Sequence, residues 1–259
     1  MVVNERPETL VAIEAVRRGL ALAQRGVGRA EISEKGDRDL VTATDVAVED
    51  EIRRILGEAA SSPVVGEERG GEAPADGSAY WLLDPICGTR NFASGIPLYG
   101  VNLALVEDDR VTVAVAGDPS TGEINVAERG RGAYALGDGA RRPLHVSGES
   151  RILDLSDGRA TGARRERAVR FASAVIGADR WDVRALGSTL ALAYVGAGRI
   201  SAYVLFLGHG LHTAAGSLLV TEAGGSITDI DGRPWTIHSD SIIATADAAL
   251  HWELLDLAS

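Results

Sequence analysis

Apolar residues recur along this chain with two periods, and the switches between them outline its elements. Within residues 7–24, Leu10, Ile13, Val16 and Leu20 fall at helical spacing, with Pro7 at the start and Gly26 just past the end, so an amphipathic helix is predicted there. Residues 39–45 run briefly extended; over 46–56, Val46, Val48, Ile52, Ile55 and Leu56 restore the helical period behind acids in the first turns, a second helix. Residues 63–68 read as a short strand ending in Glu67-Glu68, followed to 78 by a loop rich in Gly, Ala and Pro. The run 80–83 is apolar and ends at Asp84, after which Pro85, Gly88 and Gly95 force a tight loop that presents polar groups outward.

Residues 100–106 and 111–117 are β-rich and joined by Glu107-Asp108-Asp109-Arg110, a hairpin by length and polarity, and 123–128 and 132–136 read as two more strands. Residues 144–146 and 152–155 are expected at the edge of another sheet, and 164–176 as a helix. Arg164, Arg165 and Arg167 in its first turn fit a solvated face better than an anion patch. A small-residue helix over 189–195, a strand over 201–206, a helix within 211–225, strands over 226–230 and 241–246, and a last helix over 248–257 complete the chain. No repeat, linker or low-complexity stretch divides it, so residues 1–259 are expected to form one domain of stacked helix and sheet layers.

Composition narrows the function. With 45% hydrophobic residues the chain can bury a sizeable core. Its 26 basic and 37 acidic residues leave a net charge of −11, with no basic stripe, so neither nucleic acid nor an anionic membrane is an expected partner. An acidic protein that handles a phosphate ester would need metal cations or the positive ends of local dipoles to hold the anion, which mildly favours a metal-assisted site. The first residues lack a basic-then-apolar leader, and no apolar run approaches the ~20 residues that span a bilayer, so a soluble, cytoplasmic protein is expected. Cys87 is the only cysteine; it can form no internal disulfide and is left as thiol, thiolate or ligand.

The loop after residue 83 carries the main clue. Asp84, Pro85, Ile86, Gly88, Thr89, Asn91 and Phe92 resemble the signature DP(I/L)DGTxNF of the inositol monophosphatase family, magnesium-dependent phosphatases of small phosphorylated polyols and sugars. Three other segments resemble family motifs in the right order: DLVTATD ending at Asp45, GEE at 66–68, and LHTAAGSLLVTEAGG at 211–225. The resemblance implies an α/β layered sandwich (α-β-α-β-α) like that of the sugar phosphatases. It implies that Asp45 accepts a hydrogen bond from Thr89 and that this pair activates the attacking water. It implies Mg²⁺ on Glu67, Asp84 and the Ile86 carbonyl, and a substrate pocket formed by Gly88, Thr89, Arg184, Gly187 and Ser188. It also admits a homodimer, for which the apolar hairpin over 101–115 is a candidate interface, although core is its better use.

Two positions depart from the motifs. Cys87 and His212 stand where the family places aspartates that hold a second ion, and both are better ligands for Zn²⁺ or Fe²⁺ than for Mg²⁺. Cys87 and His212 are therefore expected to face each other and form, with Asp84, a site for a softer ion. The acid that inositol-specific members carry near Leu205 is absent, so inositol is a poor guess for the substrate. Three readings stay open: a phosphatase of a small phosphorylated substrate with an altered second ion site, a metalloenzyme of changed chemistry, and a binding protein that has lost turnover.

Overall fold

The N-terminal helical period becomes α1 (Pro7–Gly26), whose buried stripe runs through Ala12, Ile13, Ala15, Val16, Gly19, Leu20 and Ala23. Leu10 lies off that stripe and is exposed, because alanines complete the packed face in its place. The computed structural model describes residues 5–28, 32–36, 39–59 and 62–258. After α1 come β1 (Ile32–Gly36), β2 (Asp39–Thr42), α2 (Ala43–Ala59), β3 (Val64–Gly66), β4 (Tyr80–Cys87) and the short α3 (Thr89–Ala93). A run of strands follows: β5 (Gly100–Glu107), β6 (Arg110–Gly117), β7 (Ile124–Glu128), β8 (Gly132–Gly137), β9 (Ala140–Pro143) and β10 (Ile152–Ser156). The rest is α4 (Gly162–Ala178), β11 (Asp182–Arg184), α5 (Leu190–Gly196), β12 (Ala202–Leu205), α6 (Gly210–Glu222), β13 (Ser226–Thr228), β14 (Ile242–Thr245) and α7 (Ala248–Leu257).

The strands form a seven-stranded sheet, β3-β4-β5-β6-β7-β8-β9, a five-stranded sheet, β11-β10-β12-β14-β13, and the small β1-β2 pair. Strand alternation decides what lies on each face. Trp81, Leu83, Leu103, Leu105, Val113 and Val115 pack against α1 and α2, whereas Leu82, Ala104, Val106, Ala114 and Ala116 face Leu190, Ala214, Leu218 and Leu219 of α5 and α6. Tyr203, Leu205, Ile242 and Ala244 meet the other side of α5 and α6 at Leu192, Val195 and Val220. Leu153, Val204 and Ile243 close the stack against Phe171 of α4 and Leu250 of α7. The layers run α-β-α-β-α, as the sequence implies.

Several local expectations shift. Residues 43–45 are helical, because Thr42 caps α2: its Oγ accepts the N–H groups of Thr44 and Asp45 at 3.2 and 3.3 Å. Residues 144–146 form no strand; Leu144 fills the space between layers, and Val146 N–H donates to the Ala223 carbonyl at 3.2 Å. The edge strands there are β9, exposed at all four positions, and the three-residue β11, neither of which has an apolar alternation to read. Asp108 and Asp109 both take left-handed φ (49° and 57°), as a two-residue hairpin loop requires. The apolar side chains of that hairpin are spent on the layers above and below it, so its use is core. Arg164 pairs with Asp240 at 2.7 Å and Arg167 with Asp231 at 2.6 Å, as expected of a solvated helical face.

Candidate active site

A cavity of about 620 Å³ opens where β4, β10 and β12 end and where α3 and α6 begin. Its wall includes Glu67, Asp84, Ile86, Cys87, Gly88 and Thr89 on one side, and Ser156 to Arg159, Tyr203, Leu205, Leu207 and His212 on the other. Irregular backbone makes this possible. Asp84 pairs with Asn102 and Cys87 with Gly100, so β4 carries an extra residue at Pro85-Ile86, a bulge tolerated where proline offers no N–H to the ladder. Gly88 then takes φ 90°, and a Cβ there would lie 2.9 Å from the Ser188 side chain and 3.0 Å from the Leu98 carbonyl, so only glycine fits.

At the start of α2, Asp45 is wholly buried; one oxygen accepts from both the N–H (3.0 Å) and the hydroxyl of Thr42, the other from Thr89 Oγ1 at 3.3 Å. Thr89 Oγ1 also reaches the Ile86 carbonyl at 3.1 Å. Burial raises the Asp45 carboxyl above its ordinary value, the Thr42 hydrogen bonds oppose this, and the charge of Asp84 adds to the rise.

Opposite this pair, Glu67, Asp84 and His212 place ligand atoms within 4.8 Å of one another, and they are the one such group among the described residues. His212 Nδ1 is 2.8 Å from Asp84 Oδ2 and 3.9 Å from Glu67 Oε2. Asp84 is 1% exposed, and its Oδ1 is buried without a hydrogen-bond partner. Burial, and then the Asp84 charge, push the Glu67 carboxyl well up, with His212 opposing. A wholly buried carboxylate holds the turn that presents Glu67. Glu49 Oε2 accepts from Glu68 N–H at 2.8 Å, and Oε1 accepts from Arg69 N–H at 3.0 Å and Arg53 Nε at 2.9 Å.

Cys87, expected to stand with Asp84 and His212, lies outside this group of three. The bulge turns it toward α5, where its Sγ lies 3.1 Å from Ser188 Oγ. Ser188 spends its proton on the Cys87 carbonyl at 2.9 Å and accepts from Leu190 N–H at 3.2 Å, which leaves the thiol as donor to Oγ. Burial, and then the Asp84 charge, push the thiol up to about 12, so it packs against Ser188 in the protonated form. Gly187 and Ser188 line the cavity. Arg184 does not: it is exposed at the end of β11 and donates to the Val183 carbonyl at 2.9 Å.

Sequence reasoning missed Glu49, Tyr203, Leu207 and His209, which touch or support the cavity. Of these only His209 carried a signal, three residues before His212 at a helix start. It caps α6, its ring accepting Leu211 N–H at 3.1 Å, and burial followed by the nearby His212 lowers its pKa.

Comparison with known proteins identifies the family and the fold. The model of the inositol monophosphatase family matches residues 4–259. Inositol-1-monophosphatase ImpA of Mycolicibacterium smegmatis is 36% identical over 86% of this chain and 81% of its own. Histidinol-phosphatase of Mycobacterium tuberculosis is also 36% identical, over 86% of each chain. The crystal structure of the extragenic suppressor protein suhB from Bartonella henselae superposes with a TM-score of 0.89 at 26% identity, covering 98% of this chain and 99% of that one. With its four motifs in order on this five-layered frame, the chain belongs to the inositol monophosphatase family.

Proposed function

We propose that this protein hydrolyses the phosphomonoester of a small polyol or sugar, with a divalent cation at Glu67, Asp84 and His212 and a water activated by Thr89 and Asp45. The observation that carries the reading is the convergence, in one cavity, of a hydroxyl–carboxylate pair and a separate group of cation ligands. The residues fit a cation: two carboxylates crowd together with one buried oxygen unpartnered, an arrangement costly without positive charge. The Ile86 carbonyl would complete an oxygen set suited to Mg²⁺, while the His212 nitrogen widens the choice to Mn²⁺ or Zn²⁺. When bound, such a cation neutralises charge on the phosphoryl oxygens and acidifies water.

The chain's own groups do the rest. Thr89 Oγ1 takes a proton from the attacking water as it passes its own to Asp45 Oδ1, 3.3 Å away. Asp45 suits that task because burial favours its protonated form, while Thr42 fixes its orientation. The departing alkoxide is protonated from solvent at the cavity mouth. Cys87 packs as a neutral thiol and ligates nothing, so one cation site serves where the family's motifs provide for a second.

A panel of sugar and polyol phosphates, assayed with Mg²⁺, Mn²⁺ and Zn²⁺, tests the reading. Phosphate release that needs the ion, and that falls more than about 100-fold in Glu67→Ala, is expected. If no ester is hydrolysed with any of the three ions, the phosphatase reading fails and a binding role replaces it.

A further inference from the structure

Asp154 lies in β10, 1% exposed, on the sheet face it shares with its register partner Tyr203, a residue of the cavity wall. Its Oδ1 accepts the N–H of Leu186 at 2.8 Å, while Oδ2 is buried with no hydrogen-bond partner. Among the described residues no cation pairs with it. A carboxyl kept in such a place is a standing cost, which a neutral or apolar side chain would avoid. Burial accordingly raises its pKa to about 6, the Leu186 N–H opposing.

The other end of Leu186 is held from helix α3. Asn91, in the helix that follows β4, donates one Nδ2 hydrogen to the Leu186 carbonyl at 2.6 Å and the other to the Leu98 carbonyl at 2.8 Å. The N–H and the carbonyl of one residue are thus gripped by side chains from two different elements, strand β10 and helix α3. Gly187 and Ser188, the next two residues, are the cavity wall that abuts Gly88: a Cβ on Gly88 would lie 2.9 Å from Ser188 Cβ and 3.2 Å from the Gly187 carbonyl.

We propose that Asp154 and Asn91 are positioning residues that clamp Leu186 and thereby set the distance between the Gly187–Ser188 wall and the Gly88–Thr89 loop across which the phosphate group binds. The inference rests on the phosphatase reading for its enzymatic consequence and on the hydrogen bonds alone for its structural one. A slack wall weakens the hold on the phosphoryl end common to all substrates, so the loss is uniform across esters and separate from any preference for the alcohol.

The test compares Asp154→Ala, the isosteric Asp154→Asn and the wild type. Asp154→Ala is expected to raise KM about tenfold for every ester that is turned over, with kcat changed far less, and to weaken binding of inorganic phosphate equally. Asp154→Asn, whose amide oxygen still accepts the bond, should restore both. Hydrogen exchange at the Leu186 amide should accelerate in the alanine variant and stay slow in the asparagine variant. A residue that merely stabilised the fold would lower the active fraction and hence kcat, leaving KM and the asparagine rescue without a pattern. An unchanged KM or phosphate affinity in Asp154→Ala, a Leu186 amide still protected there, or an asparagine variant as impaired as alanine would overturn the clamp. If the wild type hydrolyses none of the esters, the phosphatase reading fails, while amide exchange and inorganic phosphate binding still decide the clamp.

Discussion

Cys87 and the aspartate its motif calls for differ in charge, and in this cavity charge decides what a side chain can do. A thiol hydrogen-bonded to Ser188 adds nothing to the repulsion between Glu67 and Asp84, whereas a third carboxylate would add to it without a second cation. Cys87→Ser, which keeps a neutral donor, should leave kcat within about threefold of wild type; a fall comparable to that of Glu67→Ala would make the thiol a ligand after all. Thr89→Val is the opposite case. It keeps the volume but removes the hydroxyl that faces Asp45, so kcat should drop by about 10²–10⁴ with little change in the unfolding midpoint. A Thr89→Val enzyme of normal rate would transfer the activation of water to another group.

Helices and strands here carry the site by their ends, and buried polar groups tie the elements together. His251 ties α7 to two strands: its Nε2 is 2.9 Å from the Thr228 hydroxyl on β13 and its Nδ1 3.1 Å from that of Thr245 on β14. Burial lowers its pKa from the ordinary 6.5, so the neutral ring is the folded form. Its contribution is therefore fully present above about pH 6.5 and is lost as pH falls through that value toward the lower folded one. Urea unfolding at pH 8 and pH 5 should show His251→Gln losing less stability on acidification than wild type; equal losses would show that the ring titrates normally. The same elements show what the sequence discloses. The helices α1 and α2 were legible because one apolar face repeats over several turns, and α6 and the loop after β4 because their residues resemble motifs as sets. The edge strands β9 and β11 were not, since an exposed edge needs no pattern, and neither were Glu49 and Asp154. A single acid in a strand or helix reads as solvated until the fold shows that it is buried and what backbone it holds.

At the scale of the whole molecule the middle layer is shared property. α6 packs on the seven-stranded sheet through Ala214, Leu218 and Leu219, reaches toward the five-stranded sheet through Val220, and starts with His212 in the cavity. Its distance from α5 is set by Gly216, where an added Cβ would lie 2.3 Å from Leu192 Cβ, an atom that no rotamer change can move. Glycine to alanine inside a helix ordinarily gains about 0.5–1 kcal/mol, and Gly57 in α2, with nothing within 4 Å of its added Cβ, should show that gain. At Gly216 overpacking, at about 1–3 kcal/mol, outweighs it, because α5 and α6 must part and both sheets must follow. Gly216→Ala is thus expected to be less stable than wild type in urea while Gly57→Ala is more stable. Because α6 carries His212, the Gly216 variant should also bind Mn²⁺ more weakly in a calorimetric titration, and the Gly57 variant with unchanged affinity. If Gly216→Ala were as stable as wild type and held the ion as well, the middle layer would be adaptable, and the placement of His212 would not depend on the contact between α5 and α6.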